Sequence, residues 1–547
     1  MNLVAHFKVE RPASGVRRLN AQRSTLAGAL LSPAPVREAF TLLVFLAFTA
    51  SAAPLRLDPL YASDMVLPCG APFVVTGEAA PNEEVAVRFG ALPEARARAD
   101  ARGRWRATLP AAPASAQPRD LVVRASRESL VCTNVLAGDL WLCAGQSNMA
   151  FPLASCDGGA AAAAATDPNL RLLHLACRLP TDNRPWNESQ LAVASSTEPF
   201  HISWCGVSPR SAPPLSGVAV LFGQALRRAR PGVPLGLIQL AVGGAPVEAF
   251  LPAPEGARPT WLDDPAFPAP WCQTRAKVNL KNAHSASGQA PARHPYEPGL
   301  LYDCGVAPLT ALPVAGVLWY QGESNATTGG TPDVALDAAV MRAGLTSLIA
   351  SWRRAWARDD MPFVLIQLPR MNRPWMLYRE QQALVAQALP RVGLVVTTDT
   401  GNPANVHPTD KAAVAQRAAG EALRVAYRDP QAPAFTFAAS AAGADTVVVR
   451  FTPGHRLAVR GGALAGFELS ADGQTFTPAQ AALRPDHTVA LAAGAVSSPV
   501  EVRYNWSPVP LGNLYNSDDL PVAPFRLRLS AQPSEPLNLS NRKPYEP

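Results

Sequence analysis

The chain has 547 residues, 48% of them apolar, which is too long for one ordinary hydrophobic core and predicts two to four domains, while excluding a mainly disordered chain. Its 55 prolines are about double the usual ~5% share and exclude an all-helical fold. The net charge is +7, but residues 1 to 52 hold six Lys or Arg against Glu10 and Glu38, so the remainder carries only +3 with no basic stripe, and nucleic acid is excluded as a partner.

The first feature along the chain is the apolar run Ala39 to Ala50, which follows Arg37 and ends in Ala50-Ser51-Ala52, a small-x-small pattern of the kind cut by signal peptidase. The run is shorter than the ~20 residues needed to span a bilayer. Residues 1–52 are therefore expected to be a leader, with export to the periplasm or the extracellular space and no stable membrane insertion after cleavage. Disulfides are chemically permitted in an exported chain, but eight cysteines allow 105 complete pairings and nothing selects one. No CxxC or HExxH occurs, so no metal is expected.

Residues 53–136 contain short alternating runs, Val85-Ala86-Val87-Arg88-Phe89 and Trp105-Arg106-Ala107-Thr108-Leu109, between Gly, Pro and Asn. That period of two predicts a small β-sandwich-like domain. From 137 to 428 the pattern becomes buried apolar strands alternating with amphipathic segments, as a parallel α/β sheet requires. Strands are expected at Val135–Cys143, Gly236–Leu240, Val314–Tyr320, Pro362–Leu368 and Gly393–Thr397, and helices at Val218–Arg230, Val340–Trp356, Tyr378–Leu389 and Asp410–Tyr427. Residues 429–547 return to β character, with Val447-Val448-Val449-Arg450-Phe451 and Val500-Glu501-Val502-Arg503-Tyr504, and predict a C-terminal β-domain.

Chemistry is expected in the α/β region. Ser147 stands in Gly145-Gln146-Ser147-Asn148-Met149, directly after the apolar run Leu140 to Cys143. A serine at the carboxyl end of a sheet strand lies where an open α/β fold exposes reactive groups, and Gly145 permits a sharp turn before it. Met149 breaks the GxSxG pattern, so a nucleophile elbow of the α/β-hydrolase kind is not expected. A serine hydroxyl needs an adjacent base. Of eight histidines, His407 in Asn405-Val406-His407-Pro408 is preferred, because it alone precedes a helical run in a strand-loop-helix setting.

Trp319-Tyr320-Gln321-Gly322-Glu323-Ser324-Asn325 ends another apolar strand. Its Gln321 amide could donate to the oxyanion of a tetrahedral intermediate, and Glu323 could orient an imidazole or bind substrate. Gly243-Gly244 follows a third strand, and its main-chain N–H groups are further oxyanion candidates beside that of Ser147. Gln146, Asn148 and Asn325, which flank these groups, are expected substrate contacts.

Together, the segments Gly138 to Met149, Gly243 to Phe250, Gly316 to Asn325 and Val406-His407-Pro408 resemble the sialate O-acetylesterase family, a branch of the SGNH hydrolases whose relatives include acetyl-xylan esterases. The resemblance runs from about residue 54 to 526 and implies an SGNH, flavodoxin-like parallel-sheet core with flanking N- and C-terminal β-domains. It also implies an O-acetylated carbohydrate as substrate, with neither metal nor organic cofactor. Ser147 would be the nucleophile and His407 the base, and the oxyanion hole would be formed by the Ser147 N–H, Gly243 or Gly244, and Gln321. One departure is that Ala404 stands three residues before the histidine, where SGNH enzymes often carry an acid, and Asn402 stands where relatives often show Asp. The orienting carboxylate is then Glu323 or Asp399, or is missing. The alternatives are an acetyl-xylan esterase or another polysaccharide deacetylase, and a non-catalytic carbohydrate-binding protein.

Overall fold

A computed structural model describes residues 54–530, except 197, 254–259, 284–290, 453–455 and 495. The leader expected over residues 1–52 lies outside the described residues. Among the described residues no helix is long and apolar enough to cross a membrane, and no group of three His, Cys, Asp or Glu is placed to hold a metal ion.

The centre of the fold is a seven-stranded run, labelled here in chain order: β1 Ser129–Gly145, β2 Leu170–Cys177, β3 Phe200–Gly206, β4 Leu235–Ala241, β5 Gly316–Tyr320, β6 Phe363–Ile366 and β7 Val392–Val395. Their spatial order is β3-β2-β4-β1-β5-β6-β7. All neighbours are parallel except β3, which runs antiparallel to β2 at the edge. β5, β6 and β7 are buried at every position, as expected when helices cover both faces of a parallel sheet.

Four of these strands match the sequence expectation to within a few residues and β1 contains the fifth, expected at Val135–Cys143, but begins earlier, at Ser129; β2 and β3 were not foreseen. β2 carries Arg171 and His174 inside LRLLHLAC, which interrupts the apolar signal. β3 is half exposed along much of its length, as an edge strand can be.

The helices that matter for the site are α1 Ser147–Ala150, α2 Gly217–Ala229, α3 Glu323–Ala326, α4 Ala338–Ala355, α5 Met376–Ala388 and α6 Ala412–Val425. Helix α6 forms because Val414, Ala415, Ala418, Ala419, Ala422 and Val425 recur at helical spacing and are buried together. Helix α2 begins where the Ser216 side chain accepts from the Ala219 N–H at 3.0 Å, satisfying one of the orphan donors of the first turn. Between sheet and helices, Trp319 lies edge-on to Trp352 with ring centroids 5.8 Å apart. Such aromatic pairs contribute roughly 0.5–1.5 kcal/mol beyond area burial.

The regions at either end are β-rich. Strand Arg104–Leu109 alternates exposed and buried residues without exception, and Val447 and Val449 are the buried members of Thr446–Phe451, so the period-two expectation holds for both. The boundary expected at 136/137, however, falls inside β1. The first half of that 17-residue strand pairs antiparallel with Ser115–Arg124 and parallel with Val66–Pro68, and its second half is the middle of the central sheet. One hydrophobic core accordingly runs without a break from Leu55 into the α/β region. Residues 441–525 gather a second core around Leu469, Val502 and Tyr504. Cys69, Cys132, Cys143, Cys156, Cys177, Cys205 and Cys272 are all unbridged.

Candidate active site

Register brings the functional segments together. In the sheet Gly145 pairs with Ala241 of β4 on one side and Tyr320 of β5 on the other. The three strands therefore end at one level, and the turns after them, carrying Ser147, Gly243-Gly244 and Gln321 to Asn325, emerge side by side. The chain visits β2 to β4 on one flank of β1 and then crosses to β5 on the other, which makes β1 the topological switch point where open α/β sheets bind ligands.

Gly145 has φ +145° and a Cβ there would sit 2.1 Å from the Tyr320 carbonyl oxygen, so only glycine lets β1 and β5 close at this level. The Gln146 N–H donates to that carbonyl at 3.0 Å. Gln146 Oε1 in turn accepts from the Gly322 and Ser324 N–H groups at 3.4 and 3.3 Å. The two turns are thus stitched together. Ser147, unlike its buried neighbours Gln146 and Asn148, is partly exposed.

Gly243 stands beside Ser147: a Cβ built on it would lie 3.9 Å from the Ser147 Cβ. The Gly243 carbonyl accepts from Thr181 Oγ1 at 2.9 Å and from the Tyr296 hydroxyl at 2.7 Å. Among the described residues the N–H groups of Ser147, Gly243 and Gly244 have no hydrogen-bond partner. Gly244 has φ +73°, and a Cβ there would collide with the Tyr296 hydroxyl and the Trp271 ring.

His407 reaches the same rim. Asn148 Nδ2 donates to the Val406 carbonyl at 3.0 Å, tying the residue after the serine to the residue before the histidine. The imidazole stacks on Phe151, one turn beyond Ser147, with centroids 5.8 Å apart and 28° between planes. The turn itself is built by asparagines: the Ala404 N–H donates to Asn402 Oδ1 and the His407 N–H to Asn405 Oδ1, each at 2.9 Å. Burial, and secondarily the Lys411 charge, hold the His407 ring below the ordinary histidine pKa.

Several expected roles are not supported by this geometry. Asp399 makes a two-point ion pair with Arg417, at 2.7 and 2.6 Å, and accepts from the Tyr515 hydroxyl at 3.3 Å. It fastens the C-terminal β-region to α6 and does not touch the imidazole. Glu323 accepts from Asn148 Nδ2 at 2.5 Å and so reaches the histidine loop only through that amide. Burial pushes its carboxyl upward. Among the described residues no carboxylate is hydrogen-bonded to the His407 ring.

Gln321 is not placed as an oxyanion donor. It is fully buried, and both of its amide protons are taken, by the Ala245 carbonyl at 3.3 Å and Asn325 Oδ1 at 2.7 Å. Asn325 is equally committed: its Nδ2 donates to the Glu248 carboxylate and its Oδ1 also accepts from the Val247 N–H. Asn148 is fully buried, with both polar atoms engaged. These amides brace the turns and do not face a substrate. Of the three expected substrate contacts only Gln146 retains a side-chain donor, Nε2, without a partner among the described residues.

Sequence reasoning missed Phe151, Thr181 and Lys411. The Lys411 ammonium donates to Asn148 Oδ1 at 2.6 Å and the residue is 0% exposed. The only sequence signal was its place four residues after His407, where a lysine at the start of a helix ordinarily reads as a solvated charge.

Asp399→Asn should lower the unfolding free energy by about 1–3 kcal/mol, between the values for exposed and fully buried pairs, because it leaves Arg417 partly buried without its partner. The pH profile of hydrolysis should not move. Chemical denaturation and a pH–rate profile of the same variant check the two halves.

The family model for "Carbohydrate esterase, sialic acid-specific acetylesterase" matches residues 137–261 and 291–428. The solved carbohydrate acetylesterase from Xanthomonas citri is 33% identical, with a TM-score of 0.72, over 86% of this chain and 99% of that one. Sialate O-acetylesterases of Pongo abelii and Homo sapiens are 25% and 24% identical over 325 residues. The chain spans about half the length of these curated relatives, 54% in each case. A fold shared along almost the whole of the Xanthomonas protein, and a family match that contains Ser147, Gly243, Glu323 and His407, mean that the chain belongs to the carbohydrate esterase family of sialic acid-specific acetylesterases.

Proposed function

We propose that the protein is a serine esterase that hydrolyses O-acetyl groups from carbohydrates, with O-acetylated sialic acid as the first substrate class. The observation that carries this reading is the junction at the sheet rim, where the partly exposed Ser147, main-chain N–H groups without a partner among the described residues, and a histidine loop are held together by the Asn148–Val406 hydrogen bond.

In this mechanism the neutral His407 imidazole takes the Ser147 hydroxyl proton as the oxygen attacks the acetyl carbonyl carbon. The oxyanion that forms is received by the N–H groups of Ser147 and of Gly243 or Gly244. When the tetrahedral intermediate collapses, the sugar alkoxide leaves with the proton from His407, and acetyl remains on Ser147. Water, deprotonated by the same histidine, then attacks the acyl carbon; as that intermediate collapses the bond to Ser147 Oγ breaks, the serine oxygen takes the proton back from His407, and acetic acid departs and ionises to acetate. No step requires a metal or an organic cofactor. Phe151 stacking and the Asn148–Val406 bond do the orienting that a carboxylate performs in a Ser-His-Asp triad.

An SGNH-type core over residues 137–428, β-regions at either end that brace it, and export directed by residues 1–52 belong to the same reading. Acetate release from O-acetylated sialic acid should exceed release from acetylated xylan. The opposite order assigns the chain to polysaccharide deacetylation. Failure of a serine-directed phosphonate to label the protein removes the esterase assignment altogether.

A further inference from the structure

Lys411 lies where a cation has no obvious business. It is wholly buried at the head of α6, and its ammonium donates to Asn148 Oδ1 at 2.6 Å. Asn148 spends its two amide protons on Glu323 Oε1 and the Val406 carbonyl. The orientation of this amide is chemically forced, because an ammonium must face its oxygen while a carboxylate and a carbonyl must face its nitrogen. The same ammonium lies 5.1 Å from the centre of the Phe151 ring, which stacks on His407, and 5.4 Å from that of Tyr320 at the end of β5.

Lys411 therefore touches both supports of the histidine, the Asn148 amide and the Phe151 ring. We propose that Lys411 is a positioning residue for the hydrolysis, clamping Asn148 so that this amide binds the His407 loop to the turn that presents Ser147. The inference rests on the assignment of Ser147 and His407 made above.

A buried ammonium is costly unless paired, and a purely structural tether between a turn and a loop needs none, since an apolar contact would serve. The charge has a second effect that an apolar contact could not have. Burial lowers the Lys411 pKa to about 8, opposed by the nearby Glu323 charge. Added to burial, which is the larger cause, the field of the ammonium disfavours a proton on His407 and favours the form that can accept one from serine. The other titratable groups facing Lys411 are Cys156, which follows α1, and Asp410 on its own loop. Asp157 lies beside them, accepting from Thr409 Oγ1 at 2.9 Å.

The test compares the unaltered enzyme with Lys411→Met and with the double variant Lys411→Met/Glu323→Gln, in which no buried carboxylate is stranded. In both variants kcat for p-nitrophenyl acetate should fall by about 10²-fold with KM nearly unchanged, the expected cost of a displaced catalytic group. The acid limb of the pH–rate profile should also move to higher pH. Unchanged kcat with an unchanged limb in either folded variant overturns the proposal. If neither variant folds, Lys411→Gln, which keeps a donor for Asn148 Oδ1 without the charge, decides the matter: an acid limb at higher pH is the expected result, and unchanged kcat with an unchanged limb overturns the proposal. Phosphonate labelling of the unaltered enzyme, and its absence from Ser147→Ala, keep a failure of this inference distinct from a failure of the esterase reading.

Discussion

Ser147→Ala should reduce hydrolysis of p-nitrophenyl acetate by roughly 10⁴- to 10⁶-fold, the range found when a serine nucleophile is removed from an acyl-transfer enzyme. Stability should hardly change. The Ser147 hydroxyl makes no hydrogen bond among the described residues and is partly exposed, and surface substitutions of that kind ordinarily stay within about 0.5 kcal/mol. Paired measurements of kcat/KM and the thermal transition check both halves, and residual activity near that of the unaltered enzyme would place the nucleophile elsewhere. The pH dependence has a definite sign. Only the neutral imidazole is a base, and burial together with the Lys411 charge disfavours the protonated ring. Activity should therefore rise with pH through a midpoint below the ordinary histidine value.

Gly145→Ala should damage stability and turnover together. The backbone there has φ +145°, and the new methyl would lie 2.1 Å from the Tyr320 carbonyl oxygen, a main-chain atom that cannot swing aside. The backbone strain costs roughly 1–3 kcal/mol, and forcing β1 and β5 apart adds roughly 1–3 kcal/mol of overpacking. The displacement would be passed to Ser147 two residues later, through the very pairing that aligns the three strand ends, so kcat should fall by about 10²-fold or more. Chemical denaturation, followed by kinetics on the folded fraction, separates the two effects. A variant with ordinary stability and turnover would mean that the strand ends are not held by this close approach.

The contrast between these glycines and the amides of the site is instructive. Gly145, Ser147 and His407 announce themselves in the chain, because a glycine before a serine at a strand end and a histidine before a helix are local patterns with local causes. The amides do not. Gln321 reads as a free donor at a strand terminus, yet the fold spends both its protons on Ala245 and Asn325. Asp399 reads as a carboxylate eight positions ahead of His407, yet it is drawn to Arg417 and to Tyr515 of the C-terminal region. Lys411 reads as surface charge, yet it is buried against Asn148. The β-rich start of the chain reads as a separate unit, yet β1 runs from it into the central sheet.

What the sequence determined by itself is the class of fold and the chemical groups at its rim. Strand and helix periodicities, the apolar runs of a doubly covered sheet and the glycines that permit sharp turns all act over a few neighbouring residues. What only the tertiary structure decided is which polar side chain meets which. A buried amide, carboxylate or ammonium must find partners wherever the fold puts them. Here those partners lie far along the chain, with Asn148 satisfied by Glu323, Val406 and Lys411 at once.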